Sequence, residues 1–80
     1  MFYAYVLKSI IKDYLYKGLC ENLEKRIIEH NSGMTTSIKP YIPFELIYFE
    51  EFELRIDAIK REKYFKTSAG RRFLKNKIIL

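Results

Sequence analysis

Four tyrosines occupy alternating positions in two apolar segments near the start of the chain. Side chains two residues apart in a strand point to the same face, so Tyr3 and Tyr5 share one face of the first segment. Tyr14, Tyr16 and Gly18 share one face of the second. If the two strands pair as a hairpin, the phenols lie close together, and a phenol buried beside cations loses its proton more readily than one in water. Taken alone, the pattern favours tyrosines that only pack in a sheet.

An arginine and a histidine follow, one helical turn apart. Arg26 and His30 are four residues apart and therefore neighbours on one helix face. His30 lies close to the direction of Leu23, which predicts that it faces inward. An inward histidine is commonly a hydrogen-bonded core residue, but a guanidinium cannot shed its charge and needs an anionic or solvated partner. The pair suits a phosphate bound at the edge of a sheet.

A carboxylate stands in an apolar stripe further along the chain. At 3.6 residues per turn, Leu54, Ala58, Glu62 and Phe65 fall on one side of a helix. An acid among apolar neighbours is costly to bury unless it is paired or bound to a metal. One interpretation is a salt bridge to Arg26 or to a nearby lysine. The other is a single carboxylate that holds a divalent cation, since magnesium typically takes one or two protein carboxylates and keeps water and phosphate oxygens.

Other kinds of site find little support. Cys20 is the one cysteine and His30 the one histidine, so neither a disulfide nor a zinc site can be assembled from them. Cys20 as a nucleophile with His30 is conceivable, but a small packing residue is the better interpretation. The three glycines do not form a phosphate-binding loop.

Composition and charge limit the class of protein. The chain has 80 residues, of which 49% are hydrophobic and 16% aromatic, and this content excludes intrinsic disorder. No apolar run approaches the roughly 18 residues that span a bilayer, and the start lacks the pattern of a secretory signal. We therefore expect a cytoplasmic protein with no membrane partner. The net charge of +5 favours polyanions, nucleic acid first. Basic residues concentrate in 60–77, although a solvated helix face would explain them equally well.

The predicted elements follow the order β-β-α-β-α-α, an α/β fold with a small three-stranded antiparallel sheet flanked by helices. We expect strands at Phe2–Leu7, Tyr14–Leu19 and Phe44–Phe52. We expect helices from the cap Asn22 to Gly33, from Leu54 to about Lys66, and from about Ala69 to Lys77 with Ser68 as cap. Gly70 weakens the third helix.

The connections carry two irregular features. Ser9–Asp13 is predicted as a turn, in which the apolar pair Ile10 and Ile11 is unusual. Met34–Pro43 is predicted as a loop. The apolar ending Ile78–Leu80 is expected to cover the core or the surface of a neighbour.

The order of these features resembles the GIY-YIG nuclease superfamily, specifically its small single-domain members, which are similar to the N-terminal nuclease domain of the excinuclease C subunit. The first signature matches as Tyr3-Ala4-Tyr5, and the second as Tyr16-Lys17-Gly18, with lysine in place of the usual apolar middle residue. The segment that follows resembles the family in its Asn-Leu turn, its helical Arg26 and His30 four residues later. The segment around Glu62 resembles the helix that carries the family's metal-binding glutamate. Leu74 stands where some members have an asparagine.

The resemblance covers nearly the whole chain and implies one nuclease domain, residues 1–80, that hydrolyses DNA phosphodiester bonds, with DNA repair or recombination as its setting. It implies Mg²⁺ or Mn²⁺ at Glu62, Tyr5 or Tyr16 as the base for the attacking water, and His30 assisting that tyrosine. Arg26 would stabilise the negative charge of the transition state and, with the metal, lower the pKa of the phenol. The alternative is a binding module of the same fold without activity. We expect weak sequence preference; the oligomeric state, and the choice between DNA and RNA, stay open.

Overall fold

Three antiparallel strands form the centre of the protein, which a computed structural model describes for residues 1–78. The strands are β1 (Phe2–Ser9), β2 (Leu15–Cys20) and β3 (Phe44–Phe52), in the spatial order β2-β1-β3. The two hydrophobic segments at the start of the chain therefore pair as a hairpin, and Tyr5 lies opposite Gly18. The predicted sheet is confirmed, with β1 extended to Ser9.

Three helices complete the predicted order β-β-α-β-α-α: α1 (Leu23–Asn31), α2 (Arg55–Phe65) and α3 (Ser68–Lys77). The segment expected to be only a loop contains a short 3₁₀ helix, Thr36–Tyr41. No helix within residues 1–78 combines the length and the apolar character needed to cross a membrane.

The helix ends follow local hydrogen bonding. Asn22 caps α1 as predicted, because its Oδ1 accepts from the backbone N–H of Lys25 at 3.1 Å. For α3 the predicted cap is wrong by one residue, since Thr67 rather than Ser68 accepts from the backbone N–H of Gly70. Gly70 lies where α3 meets the end of α2, and a Cβ there would be 2.8 Å from Cα of Phe65. This close approach of α2 and α3 explains why position 70 is a glycine, the residue that weakened the prediction of α3.

The two faces of the sheet carry separate cores, because successive residues of β1 point to opposite sides. Ala4 and Val6 pack against residues of α2 and α3 and against Ile78. Tyr5 and Leu7 pack on the other face, against the 3₁₀ helix, the start of β3 and apolar residues of α1. Ile79 and Leu80, the rest of the apolar ending, lie outside the described residues.

Asn31 fixes the end of α1 to the sheet. Its side-chain Oδ1 accepts from the backbone N–H of Phe44 at 2.7 Å, and its Nδ2 donates to the carbonyl of the same residue at 3.1 Å. This two-point contact joins α1 to the first residue of β3. It holds the helix, and with it Arg26 and His30, over the Tyr5 face.

Candidate active site

Tyr5 is the centre of a polar cluster between the sheet and α1. Its side chain is fully buried, and its hydroxyl lies 2.9 Å from Nε2 of His30. The ring of Tyr16, from the neighbouring strand, contacts the His30 ring edge-on with 4.9 Å between centroids. The Arg26 guanidinium lies beside the Tyr5 hydroxyl, and this interaction raises the pKa of Arg26. The structure thus brings together Tyr5, Tyr16, Arg26 and His30, four of the five predicted site residues.

The Tyr5 ring occupies the space that a side chain at position 18 would need. The two residues are paired across β1 and β2 on the same sheet face. A Cβ added at position 18 would lie 2.5 Å from Cζ of Tyr5, closer than carbon atoms approach without displacement. The glycine is required here because the phenol of the neighbouring strand occupies the space of its side chain.

His30 connects Tyr5 to a further hydroxyl. Arg26 can only donate, so it faces the lone pairs of the Tyr5 oxygen. Nε2 of His30 lies against the Tyr5 hydroxyl, and Nδ1 lies 2.9 Å from the hydroxyl of Thr35, with donor and acceptor roles set by the tautomer of His30. Thr35 is a member of the cluster that sequence reasoning missed. It lies in the segment expected to be a loop, and only the folded chain brings it to His30.

Burial is the main cause of the pKa shifts of Tyr5 and His30. Burial raises the pKa of Tyr5 well above its usual range, and the opposing effect of Arg26 is smaller. The guanidinium thus lowers the pKa of Tyr5 as expected, but burial outweighs it, so the pKa of this phenol in the protein alone is raised. Burial, with Arg26 adding to it, lowers the pKa of His30. Both groups are thus neutral near pH 7, beside one permanent cation.

Arg26 retains unused hydrogen-bonding capacity. Its Nη1 reaches Oε1 of Glu29 at 3.4 Å, a long contact. Its Nε is buried and, within the described part of the chain, has no hydrogen-bond partner. A buried donor without an acceptor costs free energy, so the position suits a ligand that brings an acceptor. A cleft of about 450 Å³ opens beside Arg26 and is lined by Leu19 to Asn22 and by Arg55 of α2, among others.

Glu62 lies on the other layer of the molecule. Its helix, α2, packs on the Ala4 face of the sheet, and its ion pair is with Lys66, one turn further along. This is the salt bridge to a lysine that the sequence left open. Within residues 1–78 no hydrogen bond or ion pair joins Glu62 to the other four residues, and no three His, Cys, Asp or Glu side chains gather as a ready metal cage.

The course of α2 nevertheless brings Glu62 towards the edge strand. Arg55, at the start of α2, lines the cleft at the end of β2. Lys66, just after α2, lies close enough to Lys17 to add to the effect of burial and Arg71 in lowering its pKa. Helix α2 therefore begins near the end of β2 and ends near Lys17, where Lys66 pairs with Glu62. The Tyr16 cluster and helix α2 lie on opposite faces of the sheet.

Comparison with known proteins identifies the family. The profile described as the GIY-YIG catalytic domain matches residues 1–76. The chain belongs to this family. The segments predicted as its two signatures, Tyr3-Ala4-Tyr5 and Tyr16-Lys17-Gly18, lie within this range and place the two phenols in the cluster.

Curated relatives of this GIY-YIG domain are small proteins of the UPF0213 group. A UPF0213 protein of Staphylococcus saprophyticus is 40% identical over 75 residues, which are 91% of this chain and 89% of the relative. A UPF0213 protein of Pediococcus acidilactici is 38% identical over 77 residues, which are 92% of this chain and 78% of the relative. A UPF0213 protein of Clostridium perfringens is 46% identical over 67 residues, which are 82% of this chain and 71% of the relative. No solved structure gives a significant match.

Proposed function

We propose that this GIY-YIG domain, residues 1–80, is a metal-dependent endonuclease that hydrolyses phosphodiester bonds of DNA. The observation that carries the proposal is the buried Nε of Arg26, which has no partner within residues 1–78 and lies beside the Tyr5–His30 pair. A phosphate oxygen would supply the missing acceptor and the missing negative charge together. The family match supports a nuclease-type fold around this arginine.

The roles of the other residues follow from exposure and hydrogen bonding. Arg26 would stabilise the negative charge that builds up on the phosphate in the transition state. Tyr16 is half-buried on the edge strand, so it is the better candidate to take a proton from an attacking water. Tyr5 is fully buried and keeps its proton, so it would act by fixing Arg26 and His30. His30, neutral and packed edge-on against the Tyr16 ring, would orient that phenol.

Glu62 is the residue that would hold Mg²⁺ or Mn²⁺. The donor set fits a hard cation that takes one protein carboxylate and fills its shell with water and phosphate oxygens. The carboxylate is 15% exposed and its partner Lys66 is 58% exposed, so the ion pair can open at small cost. A divalent cation, when bound, supplies Lewis-acid polarisation of the phosphate and stabilisation of the leaving oxygen.

DNA is the proposed partner because of the charge on the last third of the chain. Arg71, Arg72, Lys75 and Lys77 are exposed on α3. Contacts of this kind go to phosphates and carry little sequence information, so we expect weak sequence preference and affinity that falls steeply with added salt. A cytoplasmic location and a role in DNA repair or recombination belong to the same proposal.

The decisive experiment is cleavage of labelled DNA in several forms, with Mg²⁺, Mn²⁺ or EDTA. We expect cleavage with either metal and none in EDTA. Glu62→Gln and Arg26→Ala should each lose it, whereas Glu53→Gln, an exposed acid outside the cluster, should retain it. Nicking that persists in both variants would come from contamination and would contradict the proposed endonuclease activity. Salt-sensitive DNA binding without cleavage in any metal would instead favour the alternative, a binding module of the same fold.

A further inference from the structure

The tip of the β1–β2 hairpin exposes two isoleucines. Ile10 and Ile11 are 61% and 59% exposed, although the turn that carries them would more commonly hold polar residues. They belong to neither core cluster. Neighbouring apolar side chains held in water point to a contact with a partner.

The tip is held in this exposed form by Ser9, which is itself buried. The Ser9 hydroxyl donates to the carbonyl of Tyr41 at 2.6 Å and accepts from the backbone N–H of Lys12 at 3.1 Å and, more weakly, of Ile11 at 3.3 Å. The backbone N–H of Ile10 donates to the carbonyl of Pro43 at 2.9 Å. These bonds fix both sides of the turn, so the isoleucines are presented by a preorganised backbone.

Aromatic rings and a cation lie directly behind the tip. Tyr14 and Tyr41, both half-buried, stack with 3.9 Å between ring centroids and 13° between planes. The ammonium of Lys12 lies 5.2 Å from the centroid of Tyr41. Asp13 is the one acid of the turn. Apolar side chains, stacked phenols and a lysine together match the chemistry of a nucleotide, with its flat base and its phosphate.

The tip is continuous with the candidate active site. Tyr14 and Tyr16 pack on the same side of the sheet, against the Tyr5 cluster. Two residues along a strand span about 7 Å, close to the rise of two stacked bases. A DNA strand whose phosphate lies at Arg26 would therefore extend over Tyr16 and Tyr14 towards Ile10 and Ile11.

We infer that the hairpin tip is a base-contacting wedge that engages DNA where base stacking is interrupted. Ile10 and Ile11 insert against an unstacked base, and Lys12 contacts the adjoining phosphate. Apolar side chains that insert between the bases of an intact duplex must first unstack them, and this cost is already met where base stacking is interrupted. The substrate class is thus DNA with a bulge, junction or unpaired stretch beside the scissile bond. The inference takes DNA as partner from the proposed function.

The test measures binding in EDTA, so that it does not depend on cleavage. Two duplexes of one sequence are compared, continuous and with a bulged 2-aminopurine. We expect wild-type protein to prefer the bulged duplex and to change the 2-aminopurine fluorescence. The double variant Ile10→Ser, Ile11→Ser should lose about tenfold in affinity for the bulge, the scale of one base-stacking contact, and stay within about twofold of wild type on the continuous duplex.

Matched controls separate the outcomes. Ile56→Ser removes another exposed isoleucine, on α2, and should bind both duplexes as wild type does. Equal losses on both duplexes, or no loss, would overturn the wedge and leave the nuclease proposal intact. A dimer in sedimentation that the double variant dissociates, with DNA binding unchanged, would assign the tip to a second copy and also overturn it. Tip-dependent binding without cleavage in any metal would support the wedge and contradict the nuclease.

Discussion

Two arginines on opposite faces of the sheet differ in how their hydrogen-bonding capacity is used. Arg61 of α2 donates from Nε and Nη2 to the two oxygens of Glu50, at 2.9 and 3.1 Å, and lies against the ring of Phe73 at 4.6 Å. The hydroxyl of Tyr48 adds a bond to the same carboxylate, and burial with this bond raises the pKa of Tyr48 to about 12. Arg26 lies beside the Tyr5 hydroxyl and has one long contact to Glu29, and its buried Nε has no partner within residues 1–78.

The difference separates an arginine that builds the fold from one that is available to a ligand. The guanidinium of Arg61 is held in place by two hydrogen bonds and by aromatic packing, all from the protein itself. The unsatisfied Nε of Arg26 instead lowers the stability of the free protein, and a bound anion would recover that cost. The contrast predicts that substitutions on the two faces affect different measurements.

The largest effect is expected at Arg26, in activity. Arg26→Lys keeps the charge but loses the planar donors, so cleavage should fall about 10²- to 10³-fold, the scale seen when one transition-state donor is removed. The free energy of unfolding should change little, because Arg26 has few partners to lose. Single-turnover cleavage and denaturant unfolding measure the two. An Arg26→Lys variant that is less stable yet fully active would show that Arg26 serves the fold rather than the reaction.

Arg61 should show the opposite behaviour. Arg61→Met leaves Glu50 without its partner at a partly buried position, and we expect a loss of about 2 kcal/mol in the free energy of unfolding. Cleavage at a temperature where the variant is folded should stay within a few-fold of wild type. Unfolding monitored by circular dichroism gives the first value. Loss of activity in a fully folded variant would show that Arg61 also serves the site.

Arg26 and Arg61 also show which parts of the structure can be predicted from the sequence and which cannot. Strand β3, the order of the elements and the cap Asn22 followed from alternation and local chemistry, and the signature residues indicated the family. Neither the unpartnered Nε of Arg26 within residues 1–78 nor the bidentate pair of Arg61 could be predicted, because both depend on contacts between residues distant along the chain. Thr35 was missed for the same reason. The roles of Tyr5, Tyr16, Arg26, His30 and Glu62 in catalysis remain predictions.

A pH effect should appear only on the Arg26 face, which carries the one histidine of the chain. Burial, with Arg26, lowers the pKa of His30, so the unfolded chain takes up this proton at a higher pH than the folded protein. Stability is then complete above about pH 6.5 and falls as the pH drops from there to the folded pKa. His30→Gln should remove this slope from unfolding free energies measured in that window. An unchanged slope would place its origin elsewhere.

The smallest effect is expected at the Glu62–Lys66 pair. It joins neighbouring turns of one helix end, and Lys66 is 58% exposed, so Lys66→Ala should change the free energy of unfolding by about 0.5 kcal/mol or less. Removing the competing ammonium should tighten Mn²⁺ binding, which calorimetry can follow, with Lys63→Ala as control. Weaker binding in Lys66→Ala would contradict a metal at Glu62.

The contact between Gly18 and Tyr5 makes the two signature motifs interdependent. Any side chain at position 18 would enter the volume that the phenol occupies, so a larger residue there requires the Tyr5 ring to move or position 5 to become smaller. Such a compensated pair could restore packing, but it would remove the hydroxyl that joins Arg26 to His30. A substitution at position 18 therefore acts on the candidate active site through Tyr5, even though the glycine itself bears no functional group.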